Sequence, residues 1–294
     1  MKNLLVILVL VTFMACGSVS NSKSLEQVER KQTYQALRKA FKSSLIKHLK
    51  APQFYDDEEN LPPNISVVHY PSEGRNLKGL LHTSNIDSTK KTKALVYLHG
   101  GFALGYPDVT DCQPFLDAGY VVFAPAYRGE NGNEGNFECF YGEVSDAENA
   151  VKWLSTQAYI DADQIFVFGH SIGGGVSALL SLNDNCPSKL NGSAAGLYFK
   201  ESFVELVGKE KIPFDLTVEE EYFFRCPIYT LNYLLKKHMM YIGTDDYYKE
   251  YKTYILELYG TTPQNFKLVE IPGDHFSSLE PSMKSFLKEI EKML

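Results

Sequence analysis

Five residues near the middle of the chain, Gly169-His170-Ser171-Ile172-Gly173, set a hydroxyl between two glycines at the end of the apolar run Ile165-Phe166-Val167-Phe168. A small-residue, helix-forming stretch, Val176-Ser177-Ala178-Leu179-Leu180, follows directly. A serine on a sharp turn between strand and helix stands clear of its sheet, and the first N–H groups of the helix favour negative charge developing beside it. Gly169 and Gly173 remove the side chains that would collide across such a turn. The chemistry is attack on a carbonyl carbon. The plain alternative is a Gly-rich strand-to-helix turn in another α/β protein.

A serine hydroxyl is a weak nucleophile at neutral pH and needs a base. His275, in Ile271-Pro272-Gly273-Asp274-His275-Phe276, lies between a strand-like run and the last helix-like segment. His48, His69, His82, His99, His170 and His238 lack that setting; His170 reads as packing under the turn and His99 as bracing its own loop. A carboxylate must orient the imidazole and stabilise its cation. Gly243-Thr244-Asp245-Asp246, after an apolar run at 239–242, offers Asp245 and Asp246. His99-Gly100-Gly101-Phe102, after the run at 94–98, is a glycine turn with backbone N–H groups to spare.

The elements that must position these groups alternate along the chain. Runs at 65–70 and 77–82 predict an antiparallel pair joined through Pro71-Ser72-Glu73-Gly74. Short apolar runs at 94–98, 121–124, 165–168 and 239–242 have the character of strands buried on both faces, and 266–271 reads as one more. Helical segments are expected near 143–158, 171–182, 247–260 and 279–293. This alternation predicts an α/β fold with a mostly parallel, doubly wound sheet and helices on both faces. The stretch 183–236 breaks the alternation and is expected to form a cap over the strand ends.

Ahead of this domain, Leu25, Val28, Tyr34, Leu37, Phe41, Leu45 and Leu49 recur mostly three or four residues apart. They predict an amphipathic helix from Ser24 to about Lys50, with Ser24 as its N-cap. Residues 56–63 are acidic and then proline-bearing, and read as a loop. The first sixteen residues, MKNLLVILVLVTFMAC, combine Lys2 with an apolar run too short to span a bilayer comfortably. Ala15-Cys16-Gly17-Ser18 resembles a bacterial lipobox, which implies removal of residues 1–16 at or just before Cys16 and lipid on Cys16. The expectation is an exported lipoprotein held to a membrane through its N-terminal lipid, with ordinary secretion as the alternative. Residues 17–64 are then tether and amphipathic helix, and 65–294 the main domain. Cys112, Cys139, Cys186 and Cys226 remain, as disulfides in one of three pairings or as buried thiols.

Composition narrows the partners. The chain has 294 residues, 44% apolar and 22% charged, which is ordinary for a globular domain and large enough for a substantial core. Its formal charge is −7, and no Lys/Arg cluster is dense enough to track phosphates, so nucleic acid is not an expected partner. No metal-ligand spacing and no dinucleotide fingerprint is visible, so neither metal nor cofactor is expected.

The serine turn, the HGG turn and the order Ser171, acid, His275 resemble the α/β-hydrolase superfamily. Closer likeness is to the catalytic domain of prolyl oligopeptidase family serine peptidases. It is carried by Tyr127-Arg128-Gly129-Glu130-Asn131-Gly132, by 137–144 and 146–153, by Asp161-Ala162-Asp163-Gln164-Ile165 and by Arg225-Cys226-Pro227-Ile228. The likeness covers roughly 65–294. It implies a catalytic triad of Ser171, Asp246 and His275. The family's Gly-x-x-Asp spacing favours Asp246, with Asp245 as the alternative acid. It also implies an oxyanion hole from the N–H of Ile172 and that of Gly101 or Phe102, Gly101 being favoured. Residues 17–64 are too few for the β-propeller of full-length oligopeptidases, so specificity carried by that domain does not transfer. The expected substrate is a small ester or short peptide, cleaved through an acyl-enzyme on Ser171. A catalytically silent binding module and an acyltransferase with the same nucleophile are the competing readings. Oligomeric state is open.

Overall fold

The computed structural model describes residues 33–55, 60–87 and 89–293. The expected leader with Cys16, the expected tether and the first part of the expected N-terminal helix lie outside the described residues.

An eight-stranded sheet runs through the protein in the order β1-β2-β4-β3-β5-β6-β7-β8. β1 (Ile65–Ser72) and β2 (Arg75–His82) form a hairpin, and β2 is antiparallel to β4 (Val121–Pro125). Glu73 and Gly74 both have positive φ, which matches the right-handed twist of a two-residue hairpin turn. β3 (Thr92–Leu98), β4, β5 (Ile160–His170), β6 (Asn191–Ala194), β7 (His238–Gly243) and β8 (Phe266–Ile271) are parallel. The fold class is therefore the expected α/β-hydrolase arrangement.

Apolar side chains cover both faces of the sheet, as its apolar runs demanded. On one face Val96, Val121, Phe123 and Val167 pack with α4 (Tyr141–Ser155) and α5 (Ile172–Leu180). On the other, Leu95, Val122, Phe166 and Met239 meet α3 (Gln113–Asp117) and α9 (Leu279–Glu291). Three smaller helices lie in connections: α2 (Tyr106–Thr110), α6 (Lys200–Val207) and α7 (Glu219–Phe223); α8 (Tyr251–Tyr259) links β7 to β8. Among the described residues no helix is long and apolar enough to cross a membrane.

Two expectations need correction. Within the described residues the N-terminal helix is only α1 (Tyr34–Ala40), capped by the Thr33 hydroxyl, and it stops where Phe41 turns extended. The periodic apolar residues beyond it serve a different path. Phe41 stacks on Phe224, Ser43 and Ser44 bind the Glu221 carboxylate, and Leu45 bridges to Phe214. Residues 41–55 thus run as a strap along the domain, where hydrogen bonds to distant partners replace the helical ladder. The second correction concerns 183–236. Residues Asn191–Ala194 are a strand inside the sheet, so the irregular region begins after them. Asn-Gly-Ser-Ala offers no apolar run; its side chains are accommodated by Ser193 Oγ on His238 Nε2 and Asn191 Nδ2 on Ser181 Oγ. Cys112, Cys139, Cys186 and Cys226 are all buried free thiols.

Candidate active site

Parallel register brings the chemistry together. Leu98, the last residue of β3, pairs with Gly169 near the end of β5, so the HGG turn and the serine turn leave the sheet side by side. β7 and β8 end in register at Gly243 and Ile271, which places the acidic loop beside the His275 loop. All four loops emerge at the carboxyl edge, where ligands of open α/β sheets bind.

Ser171 sits at φ 51° and ψ −113°, a conformation that non-glycine residues rarely adopt. The turn survives only because its neighbours have no side chains. A Cβ on Gly169 would lie 2.1 Å from Gly173 O, and one on Gly173 would lie 1.9 Å from Leu98 O. Ser171 N–H donates to Ala194 O at 2.9 Å, anchoring the turn to β6.

His275 is buried, and its Nδ1 meets Asp246 Oδ2 at 2.8 Å. The other Asp246 oxygen accepts the Tyr248 N–H at 2.9 Å, so both carboxylate oxygens are held. Asp245 is exposed and its N–H donates to Gly273 O; among the described contacts it makes none with His275. The Ser171 hydroxyl is hydrogen-bonded to Tyr198 Oη at 3.3 Å, and among the described residues no hydrogen bond joins it to His275. Ser171 and His275 nevertheless line one cavity of about 730 Å³. Apo active sites often hold such bonds long until substrate tightens them.

The two other histidines near the site have structural partners. Burial pushes His170 down to about 4, so its neutral Nε2–H donates to the main-chain oxygen of His275 at 2.9 Å. His99 is also buried, which disfavours its charge, but the Glu130 carboxylate at 3.1 Å outweighs burial and raises it to about 9. His99 stacks on Tyr127 and thereby ties the HGG turn to the loop after β4. Arg128 in that loop binds both oxygens of Asp146 at 2.8 Å, and Asn131 binds the main chain of Leu104 through both ends of its amide. The stretch 127–132 is thus the bracket that holds the HGG turn.

Ile172 opens α5 with its N–H among the orphan donors of a helix start. At the HGG turn the two candidate donors differ: Phe102 N–H is taken by Gln53 Oε1 at 2.7 Å, while Gly101, at φ 66°, faces the same cavity. Gln53 arrives on the strap and was not legible from spacing. Tyr198 was missed too, because it follows the apolar-poor strand β6 inside a stretch that reads as cap.

The rest of the cavity wall is aromatic and acidic. Tyr55, Tyr247 and Phe276 stand exposed at its rim, and Asp108 lies in its wall, raised to about 6 by burial. Among the described residues no lysine or arginine lines it.

The profile of the X-Pro dipeptidyl-peptidase (S15) family matches residues 21–192. The uncharacterized peptidase YtmA of Bacillus subtilis is 36% identical over 118 residues, which is 40% of this chain and 45% of that protein. An esterase of Pyrococcus furiosus superposes with a TM-score of 0.61 at 20% identity, covering 84% of this chain and 98% of the other. An acylaminoacyl peptidase of Pyrococcus horikoshii gives 0.56 at 17% identity, covering 78% and 40%. These two structures share the fold. The matched region spans less than half of YtmA and of the acylaminoacyl peptidase.

Proposed function

The chain belongs to the X-Pro dipeptidyl-peptidase (S15) family, and from that premise we propose that it is a serine hydrolase acting on a small ester or short peptide through an acyl-enzyme on Ser171. The observation that carries this reading is the buried 2.8 Å contact between His275 Nδ1 and Asp246, in the cavity that Ser171 enters from its strained turn. Asp246 holds the imidazole so that Nε2 is the nitrogen left to take a proton. His275 removes the Ser171 proton as Oγ attacks the carbonyl carbon, and returns it to the leaving alcohol or amine. Water then repeats the cycle on the acyl group. The N–H groups of Gly101 and Ile172 receive the oxyanion, since Gln53 occupies that of Phe102; one such donor contributes roughly 3–4 kcal/mol to the barrier.

A fluorophosphonate probe tests the nucleophile. Labelling at Ser171, absent in Ser171→Ala, is expected, and a wild-type protein that is never labelled would sink the reading. p-Nitrophenyl esters compared with aminoacyl and prolyl amides then divide esterase from peptidase.

Export with lipid on Cys16 belongs to the same proposal and rests on the Lys2, apolar run and Ala15-Cys16-Gly17 pattern alone. Metabolic labelling with an alkyne fatty acid should mark the wild type and not Cys16→Ala; equal labelling of both refutes it.

A further inference from the structure

The glycine run 173–175 is longer than the nucleophile turn requires, since only Gly169 and Gly173 press against that turn. The other two face the exit of β6. A Cβ on Gly174 would come within 2.5 Å of Ala195 O, and one on Gly175 within 3.0 Å of Gly196 O and 3.5 Å of the Tyr198 ring. On the opposing side Ala195 and Gly196 both take positive φ, 60° and 108°, which is costly for alanine. Bare helix and strained turn together let the chain after β6 lie directly on the start of α5.

What this close approach delivers is Tyr198. The residue is fully buried, clamped by Phe140 in a near-parallel stack at 6.1 Å and by Tyr248 edge-on at 5.7 Å. Its hydroxyl has one hydrogen-bond partner among the described residues, Ser171 Oγ. Burial keeps the phenol protonated at neutral pH. It can therefore donate to Ser171 Oγ while the serine's own hydrogen stays available to His275.

We propose that Tyr198 is a further catalytic residue, whose O–H supports Ser171 Oγ as a leaving group during deacylation. The inference rests on the acyl-enzyme reading above. In deacylation, water adds to the acyl carbon and gives a proton to His275. The tetrahedral intermediate then expels Oγ, which recovers that proton from His275. An ester Oγ is a poor hydrogen-bond acceptor, and an Oγ departing with negative charge is a good one. The Tyr198 bond strengthens along this step, and only an interaction stronger in the transition state accelerates it. Tyr198 keeps its proton throughout. In acylation Oγ starts as a hydroxyl that already holds the Tyr198 bond, so attack gains far less from it than expulsion from the ester does.

Tyr198→Phe preserves the ring and its packing. With p-nitrophenyl acetate the variant should acylate as fast as wild type and deacylate about tenfold more slowly, within the usual range for one lost hydrogen bond. A burst of p-nitrophenolate near one per active site, with acetylated Ser171 accumulating, is the expected signature. Unchanged deacylation overturns the proposal, whether or not acylation slows. Gly175→Ala, whose Cβ would press on Gly196 O at 3.0 Å and shift the backbone two residues before Tyr198, should show a smaller loss in the same step and decides the matter if Tyr198→Phe does not fold. A wild type that resists fluorophosphonate and turns over no ester or amide refutes the hydrolase reading itself. A labelled, active wild type with an indifferent Tyr198→Phe refutes this inference alone.

Discussion

His170 Nε2 donates to the main-chain oxygen of His275 at 2.9 Å, so the residue just before Ser171, the proposed nucleophile, holds the loop that carries the proposed base. The bond ties the end of β5 to the loop after β8 across two intervening strands. His170→Ala should let the His275 loop relax while leaving the imidazole and its acid intact. A displacement of about 1 Å at a reacting group can cost on the order of 10²-fold. A fall of about 10- to 100-fold in kcat/KM is expected, measured at a temperature where circular dichroism shows the variant folded. Full activity in the variant would show that the loop is held by other contacts.

The two acidic neighbours should part company on mutation. Asp246→Asn leaves the shape of the contact but offers His275 an amide, and the loss in kcat should be on the order of 10⁴. Asp245 is exposed and turns its backbone to Gly273 O, so Asp245→Asn should stay within about twofold of wild type. Comparable losses in both variants would mean that the loop exchanges the two carboxylates.

His238 is buried between Ser181 and Ser193, and burial holds it down to about 3. The folded state therefore resists a proton that the unfolded chain takes up below about pH 6.5. The stability this group contributes is complete above pH 6.5 and is lost as pH falls toward 3. At pH 5 the loss amounts to about 2 kcal/mol, an order-of-magnitude figure from the shift. Denaturation of wild type and His238→Gln at pH 7.5 and pH 5 should give a shallower acid loss in the variant. Parallel curves would place the acid sensitivity elsewhere.

Arg128 is nearly buried and bridges Asp146, which is fully buried, to Glu138 and Glu73. Removing one member of such a pair leaves the other charge uncompensated, at about 3–5 kcal/mol. Arg128→Met should lower stability by that order in chemical denaturation, and adding Asp146→Asn should restore part of it. A double variant as unstable as the sum of the two singles would contradict the coupling.

The sheet and its loops were legible because apolar runs and glycine turns carry their own physics. Ile165–Phe168 cannot face water on either side, and Gly169 and Gly173 must lack side chains where the turn closes on itself and passes Leu98 O. β6 was not legible. Its four small residues are buried by their neighbours and by Phe286, whose ring would stand 2.8 Å from a Cβ on Gly192. Tyr198 went with it, since its position depends on that strand. The strap failed for the opposite reason. Phe41 and Leu45 do keep helical spacing, but Glu221, Pro213, Gly129 and Asn133 bind the chain there, and tertiary hydrogen bonds override a local period.

The same bracket that holds the HGG turn should give the enzyme an alkaline limit. His99, raised to about 9 by Glu130 against its burial, is charged in the folded protein when the unfolded chain has already lost its proton. Its contribution is therefore fully present below about pH 6.5 and is lost as pH rises through 9. Glu130→Gln removes the carboxylate that keeps the proton. The Glu130 carboxylate also accepts the Tyr127 N–H at 2.9 Å, a bond the amide oxygen of Gln can still make. The expected result is a variant less stable than wild type at pH 6 and nearly level with it at pH 9.5. Its ester turnover should also fall, because His99 Nδ1 contacts Gly100 O at the start of the HGG turn, the proposed oxyanion turn. A stability gap that stays constant from pH 6 to pH 9.5 would show that His99 is neutral in the fold and that the pair acts only as a hydrogen bond.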